Sequence, residues 1–337
     1  MGKAQESPSP HRDIIVLGAS AGGVQALCEV IGSLPPNLPA AIFVVLHIAA
    51  HGRSAMPAIL SRAGCLPASH PEDGEKIVPG RIYVAPPDRH LVMEDSTVCL
   101  SRNAAENGHR PAVDVLFRSA ARQYGRRVIA VVMTGNLDDG TAGLALVKRL
   151  GGVAVVQDPE DADYPSMPES AIAHVEVDYV VPVANIGSLL DRLVHEPLPE
   201  QDEELAPEER EEVSDMSEQE ERDGSVAGEP AGLVCPDCGG SLFEKPGVEP
   251  LHFRCRTGHA YSPESLIARQ TDGLEAALWA SMRALQENAA LARRMERRAR
   301  QNGGNGVGER YHKRAEDAEK HARFLRTLLQ QGGADLE

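Results

Sequence analysis

A doubly wound α/β layer with a mostly parallel sheet is the fold class predicted for residues 13–196, the larger part of this 337-residue chain. Three observations predict it. The β-rich runs are continuously apolar rather than alternating, which marks strands buried on both faces. They are interleaved with helical patterns, the arrangement that yields a parallel sheet covered by helices on both sides. Several of the runs end in Gly, Ser, His or Asp, and functional side chains gather at the carboxyl ends of strands in such sheets.

The elements follow in order. Ile14-Ile15-Val16-Leu17 is a short strand running into Gly18, followed by a helical pattern from about Gly23 to Ser33. Ala41 to Leu46 (AIFVVL) is a second buried strand, and Arg81 to Ala85 a third, closed by Pro86-Pro87. Leu91 to Met93 and Thr97 to Leu100 read as a hairpin across Glu94-Asp95-Ser96. A helix is expected over Val113 to Tyr124, then the most hydrophobic strand, Arg127 to Met133. The pattern continues with a helix over Thr141 to Leu150, strands at Val153 to Gln157 and Tyr179 to Val181, and a closing helix from Asn185 to His195.

Charge and composition delimit the remaining parts. The net charge is −16, yet residues 196–230 hold 15 acidic and 2 basic residues and so account for 13 of those negative charges. Residues 197–230 are too poor in apolar side chains to offset the entropy of ordering and are expected to be an acidic disordered linker. Residues 1–12 are expected to be a disordered polar tail. Residues 231–262 hold CPDC and FRCRTGH and are read as a zinc-ribbon-like module. Residues 263–331, rich in Ala, Leu and Arg, are read as a helical hairpin broken by the glycines from Gly303 to Gly308. Aromatic residues make up only 4% of the chain, so aliphatic side chains must build the core. No broad basic surface is present, and nucleic acid is not an expected partner. No run approaches the ~18 apolar residues of a bilayer span, and the N-terminus lacks a secretory pattern. A cytoplasmic protein without membrane insertion is expected.

The segment VLGASAGG (16–23) passes from strand through a Gly-rich turn into a helix. A serine there stands above the sheet beside helical N–H groups able to stabilise an oxyanion. Taken alone, the segment fits three roles for Ser20: a nucleophile, part of an anion-binding loop, or a helix cap. It lacks both the G-x-G-x-x-G spacing and the Lys-Ser/Thr of a P-loop. A nucleophilic serine needs a base, and the base an orienting group. His47 ends the second strand and is a candidate base, with His51 and His90 as competitors. Asp138 and Asp139 follow the strand ending at Met133. A carboxylate there suits an acceptor for an imidazole Nδ1–H, or a cap on the helix from Thr141.

Six segments together resemble the catalytic domain of the CheB-type chemotaxis protein-glutamate methylesterases. They are the G-A-S-x-G-G turn at 18–23, the strand-end His47, PGRIYVAPPDRHL at 79–91, RPAVDVLFRSAA at 110–121, MTGNLDDGTAG at 133–143 and QDPEDADYPSMPESA at 157–171. The resemblance covers roughly residues 13–195. It implies Ser20 as nucleophile, His47 as general base and Asp139 as orienter, with an oxyanion hole at the backbone N–H groups of Ala21 and Asn136. The implied reaction is hydrolysis of glutamate methyl esters on methylated chemoreceptors through an acyl-enzyme, releasing methanol without a cofactor. Glutamine deamidation by the same groups is an implied second activity. Family members commonly carry threonine in place of Ala21, Met-Gly in place of Asn136-Leu137 and Gln in place of Leu46. Many also carry a phospho-receiver domain ahead of the catalytic one. Only a dozen residues precede the first strand here, so a form without it is expected. Two other readings stay open beside this one: an inactive signalling scaffold presenting the zinc module, and a nucleotide-binding α/β protein.

Cys235-x2-Cys238, 16 residues, then Cys255-x3-His259 offers three thiolates and one imidazole, a set suited to tetrahedral structural zinc. A metal-free thiol cluster and a redox CPDC pair are the competing readings, and His252 is an alternative ligand. Cys28, Cys65 and Cys99 are expected to be buried as small hydrophobes. In the hairpin, Leu274, Leu278, Met282, Leu285, Ala289, Ala292, Met295 and Ala299 form one apolar stripe. The arginines at 293, 294, 297, 298 and 300 are read as a solvated face, or as a docking surface for an acidic partner or the acidic linker.

Overall fold

Seven parallel strands form the central sheet of the protein, seen in a computed structural model that describes residues 11–48, 52, 54–198, 228–244 and 250–332. In chain order the first half comprises β1 (Ile14–Ala19), α1 (Gly23–Gly32), β2 (Ala41–Leu46), α2 (Met56–Ala63), β3 (Ala68–Ser69), β4 (Glu75–Lys76), β5 (Ile82–Val84), β6 (His90–Glu94) and β7 (Thr97–Ser101). The second half comprises α3 (Val113–Tyr124), β8 (Val128–Val132), α4 (Thr141–Arg149), β9 (Val153–Gln157), α5 (Ser166–His174), β10 (Tyr179–Val181) and α6 (Val183–His195). The sheet order is β10-β9-β8-β1-β2-β5-β3, and β4-β7-β6 form a separate antiparallel hairpin sheet.

Burial explains why the strands carry no polar alternation. Every residue of β1, β2, β8 and β9 is buried. Alternate side chains serve opposite layers. Ile15, Leu17, Ile42, Val44, Ile129 and Val131 face one core with α1, α2 and α6. Ile14, Val16, Phe43, Val45, Ala130 and Val132 face the other with α3, α4 and α5. Each Val, Leu or Ile side chain among these contributes about 1.5–3 kcal/mol on full burial, so a chain this poor in aromatics still builds two substantial cores. One stacked pair, Phe43 and Tyr83 with centroids 4.9 Å apart, adds to the second.

Helix α1 leaves β1 on one face, and α4 leaves β8 on the other. The chain therefore diverges at the carboxyl ends of neighbouring strands β1 and β8, opening a crevice at a topological switch point. Glycine is required there for close packing: a Cβ at Gly18 would lie 2.2 Å from Val113 Cγ1 of α3.

The elements anticipated from the sequence are present within a residue or two. Helices α2 and α5 escaped sequence reading. Each carries a proline in its first turn, Pro57 and Pro168. Proline reads as a breaker, although the first helical turn tolerates it because its N–H has no intrahelical partner there.

Beyond residue 227 lies a four-stranded antiparallel sheet of β11 (Glu229–Val234), β12 (Ser241–Glu244), β13 (Phe253–Cys255) and β14 (Ala260–Tyr261). The anticipated tail falls mostly on residues outside those described, as does the linker over 199–227, and so does His51. Two long helices follow, α7 (Pro263–Gln301) and α8 (Asn305–Gly332). The chain divides into two compact units after Leu266, so the seven-stranded sheet and the small sheet share one unit.

Within the second unit, the break between helices is shorter than the glycine run suggests. Gly306 and Gly308 lie inside α8, and a Cβ at Gly308 would approach Arg300 Cγ to 3.0 Å. Met282, Ala289 and Ala292 of α7 and Ala315, Ala318 and Ala322 of α8 are buried, whereas Leu274 and Met295 of the anticipated stripe are exposed. Arg293 is engaged by Glu319 and Glu296, and Arg300 by Glu296, so part of the arginine face is internally paired. No helix among the described residues is long and apolar enough to cross a membrane.

Candidate active site

The crevice brings together three side chains far apart in the chain. Ser20 sits in the turn between β1 and α1, its N–H donating to Thr134 O at 3.0 Å across the β8 exit. The N-cap of α1 is Gly22, at φ 74, with no side-chain cap. The Ser20 hydroxyl is therefore not spent on the helix end. It lies instead 3.0 Å from His47 Nδ1. Close approach of the two loops depends on Gly135, where a Cβ would lie 2.7 Å from Ser20 Cβ and 2.1 Å from Met167 Sδ.

His47 directly follows β2, and its N–H donates to Ala19 O at 3.2 Å. Its Nε2 donates to Asp139 Oδ2 at 2.7 Å. This ring polarity reverses the expectation that Nδ1–H would face the carboxylate. Ser20 directly follows the adjacent strand β1 and meets the nitrogen nearer the backbone, and the far nitrogen reaches Asp139 in the loop after β8. Either imidazole nitrogen accepts a proton while the other donates, so the relay of hydrogen bonds is equivalent.

Asp139 is buried and accepts four hydrogen bonds. Oδ2 takes His47 Nε2–H and the Val113 N–H at 2.7 Å, and Oδ1 takes Asp114 N–H and Asn107 Nδ2, each at 3.1 Å. Two of these donors are the first amides of α3, so the carboxylate sits on the positive end of a helix. Burial alone would raise its pKa. The His47 hydrogen bond, the neighbouring imidazoles of His47 and His109 and the Val113 amide outweigh that and hold it below the usual carboxylate range. The alternative, a cap on α4, is not its role: the N-cap of α4 is Gly140, and Asp138 contributes its backbone carbonyl to the Thr141 N–H. Burial, then the charge of Asp139, pushes the neighbouring Asp114 well above the usual range, with Arg118 opposing.

Two participants had no distinguishing sequence signal. Asn107 adopts φ 53 in an Asn-Gly turn, a dipeptide that marks turns rather than chemistry. The His109 ring stacks on His47 at 3.7 Å and 9°, restricting its swing. The competitor His90 is buried, its Nε2 directed at Ala104 O and its Nδ1 accepting from Ala112 N–H, and burial lowers its pKa. It is a neutral structural histidine. Beside His47 opens a cleft of about 490 Å³ lined by Ile48, Asp88, Ala105, Gly108, His109 and Arg110. The Ala21 and Asn136 amides flank the crevice, and neither donates to an acceptor among the described residues.

In the small sheet, Cys235, Cys238, Cys255 and His259 place their ligand atoms within 4.8 Å of one another. Cys238 Sγ–Cys255 Sγ is 3.6 Å, and His259 Nδ1 lies 3.7 and 3.6 Å from the Cys235 and Cys255 sulfurs. Zinc–sulfur bonds of ~2.3 Å at tetrahedral angles require sulfurs about 3.7 Å apart, so the residues fit the ion. A disulfide needs sulfurs near ~2.05 Å. Two tight turns shape the site, with Gly239 N–H on Cys235 O and Gly258 N–H on Cys255 O, both 2.9 Å. The Thr257 hydroxyl, aided by the Gly240 amide, pulls the Cys238 thiol down to about 6. His252, the alternative ligand, faces Glu106 instead, with Nε2 3.4 Å from Oε1. Of the remaining thiols, Cys65 is exposed, contrary to expectation, and Cys28 and Cys99 are partly buried.

Residues 15–190 match the family model for the CheB methylesterase. The chain belongs to this family. Its class is accordingly that of carboxylic ester hydrolases. A relative from Leptospira interrogans, named a putative protein-glutamate methylesterase/protein-glutamine glutaminase, is 38% identical over 190 residues, covering 56% of this chain and 98% of its own length. Relatives from Anaeromyxobacter dehalogenans and Pseudomonas aeruginosa, each named protein-glutamate methylesterase/protein-glutamine glutaminase 2, are 38% and 35% identical, and the chain spans 53% and 57% of them. The crystal structure of the Thermotoga maritima CheB methylesterase catalytic domain aligns over 55% of this chain and all of that domain, with a TM-score of 0.53 and 36% identity. None of these matches covers more than about half of the present chain.

One departure from the methylesterase pattern has a geometric cost. Leu137 occupies φ 62, a left-handed conformation costing roughly 1–2 kcal/mol for a residue with a Cβ. Leu137→Gly is expected to raise stability by about 1 kcal/mol in urea titrations. The pH dependence of stability should report Asp139. Its depressed folded pKa means the unfolded chain binds the extra proton. Its stabilisation is thus present above the ordinary carboxyl pKa of about 3.9 and lost as pH falls through the folded value. Asp139→Asn is expected to lower the Tm at neutral pH and to shrink the fall in Tm on acidification, measured by thermal melts.

Proposed function

We propose that this protein hydrolyses methyl esters of glutamate side chains on methylated chemoreceptors, with Ser20 as nucleophile, His47 as general base and Asp139 as orienter. The observation that carries the reading is the continuous chain from Ser20 Oγ to His47 Nδ1 at 3.0 Å and from His47 Nε2 to Asp139 Oδ2 at 2.7 Å. Ser20 Oγ attacks the ester carbonyl as Nδ1 takes its proton. The resulting imidazolium is stabilised by Asp139, which stays ionised throughout. The tetrahedral oxyanion rests on the Ala21 and Asn136 amides. Its collapse expels the methoxy oxygen, which leaves as methanol with the proton from Nδ1. Water, deprotonated by the same nitrogen, then cleaves the glutamyl-serine ester and returns the proton to Ser20. Attack on a glutamine amide uses the same groups and releases ammonia, in keeping with the glutaminase activity in the names of the relatives. Such receptor tails are reached from the cytoplasm, where we place the enzyme.

We further propose that Cys235, Cys238, Cys255 and His259 hold a structural zinc, which takes no part in ester chemistry. Its effect is to close a sheet whose own buried core is small: Leu242, Phe253, Tyr261 and Leu266 beside the two inner cysteines.

Ser20→Ala is expected to abolish methanol release from methylated receptor with an unchanged melting profile, and Asp139→Asn to lower kcat by about 10⁴. Methanol release surviving in Ser20→Ala would refute the assignment. The purified chain is expected to contain one zinc per molecule by elemental analysis, and Cys255→Ser to lose it.

A further inference from the structure

From the way the small sheet meets the crevice, we infer that the Cys3His module is a positioning element of the esterase, holding the carboxylate behind His47 through Asn107 and Asp138. The inference rests on the catalytic roles given above and adds a dependence of the reaction on a module that the family match does not include.

The contact is a continuous set of hydrogen bonds within one compact unit. Asn107 N–H donates to Ala260 O at 2.8 Å, continuing the edge of β14 into the strip 104–110 that walls the cleft. Ser262 N–H donates to Asn107 Oδ1 at 2.9 Å. The hydroxyls of Ser262 and Ser265 both donate to Asp138 Oδ1 at 2.8 Å. Asn107, Asp138, Ser262 and Ser265 are all buried, Ser265 completely. These bonds are therefore shielded from bulk water.

The chemistry of an amide gives the contact its consequence. Asn107 has one acceptor oxygen and one donor nitrogen at the end of a side chain whose orientation is otherwise degenerate. Ser262 N–H occupies the oxygen, so the nitrogen is forced toward Asp139 Oδ1 and Asp114 Oδ2. The amide is thus fixed from both ends, the carboxylates accepting from its nitrogen and the Ser262 N–H serving its oxygen. Asp138 matters by adjacency. It shares a loop with Asp139, following Leu137 in its left-handed conformation. Two serine hydroxyls from the module clamp that loop beside His47. Ser262 and Ser265 stand one and four residues beyond β14, and β14 pairs with β13, which ends in Cys255. The metal-binding turns are thus continuous with the clamp. None of these module residues lines the cleft, so their loss acts on turnover rather than on substrate binding.

The test uses the full chain and two readouts: methanol release, and the rate at which a fluorophosphonate labels Ser20. Asp138→Ala and the double variant Ser262→Ala/Ser265→Ala are each expected to lower kcat and the labelling rate about tenfold, with KM within about twofold. Asp138→Asn keeps an oxygen acceptor and is expected to stay within about twofold of the unaltered chain. Combining Asp138→Ala with the two serine changes should add little, because both remove one interaction. Stripping zinc with a chelator is expected to slow labelling by a similar factor, restored by one equivalent of zinc. Full labelling by the zinc-free chain, full-rate labelling by both clamp variants, or multiplicative effects in the combined variant would overturn the inference. Absence of methanol release in the unaltered chain, with labelling still dependent on the clamp, would instead overturn the assigned substrate and leave the inference standing.

Discussion

A single buried carboxylate organises this molecule. Asp139 lies where three otherwise independent segments need a partner: the imidazole at the end of β2, the free amides at the start of α3 and the side chain of Asn107. An unpaired ion in that position costs several kcal/mol. With four donors it is held charged, and each donor is held in return. The geometry of the imidazole toward Ser20 follows, because a ring with one nitrogen bound to a fixed acceptor and one face stacked on His109 has little freedom left.

The parallel sheet makes that convergence available. Strands β1, β2 and β8 are adjacent, and their carboxyl ends deliver Ser20, His47 and the 134–140 loop to one edge. Helices leaving β1 and β8 on opposite faces keep the crevice between those loops open. Along the chain these three side chains come in the order Ser, His, Asp, unlike the Ser, Asp, His order of α/β-hydrolases, and here it is strand order that brings them together.

The small Cys3His sheet belongs to the same compact unit as the esterase sheet. Its last residues satisfy groups of the catalytic half that are themselves buried, and Glu106, beside Asn107, is paired with Arg118 at 2.7 and 2.5 Å. Burial opposes ionisation of Glu106, and the guanidinium of Arg118 holds it well below the usual range. The boundary between the two sheets is thus buried and polar, with Asn107, Asp138, Ser262 and Ser265 hydrogen-bonded across it, the kind of contact in which each hydrogen bond specifies geometry.

Much of this was legible from residues alone. Continuous apolar runs in β1, β2, β8 and β9 specify strands buried on both faces, because only a two-sided layer removes every side chain from water. The Ser20 turn, His47 and the Asp138-Asp139 loop stood out because polar residues at the ends of such strands have no packing role, and the spacing of Cys235, Cys238, Cys255 and His259 specified a tetrahedral donor set. Tertiary structure decided which imidazole nitrogen faces the serine, that Asp139 caps α3 rather than α4, and that His90 is structural. It alone supplied Asn107, His109, Ser262 and Ser265. The physical reason is range. Periodicity and ligand spacing are local properties of a chain, whereas a hydrogen bond between residues 107 and 262 depends on where two separately folded edges meet.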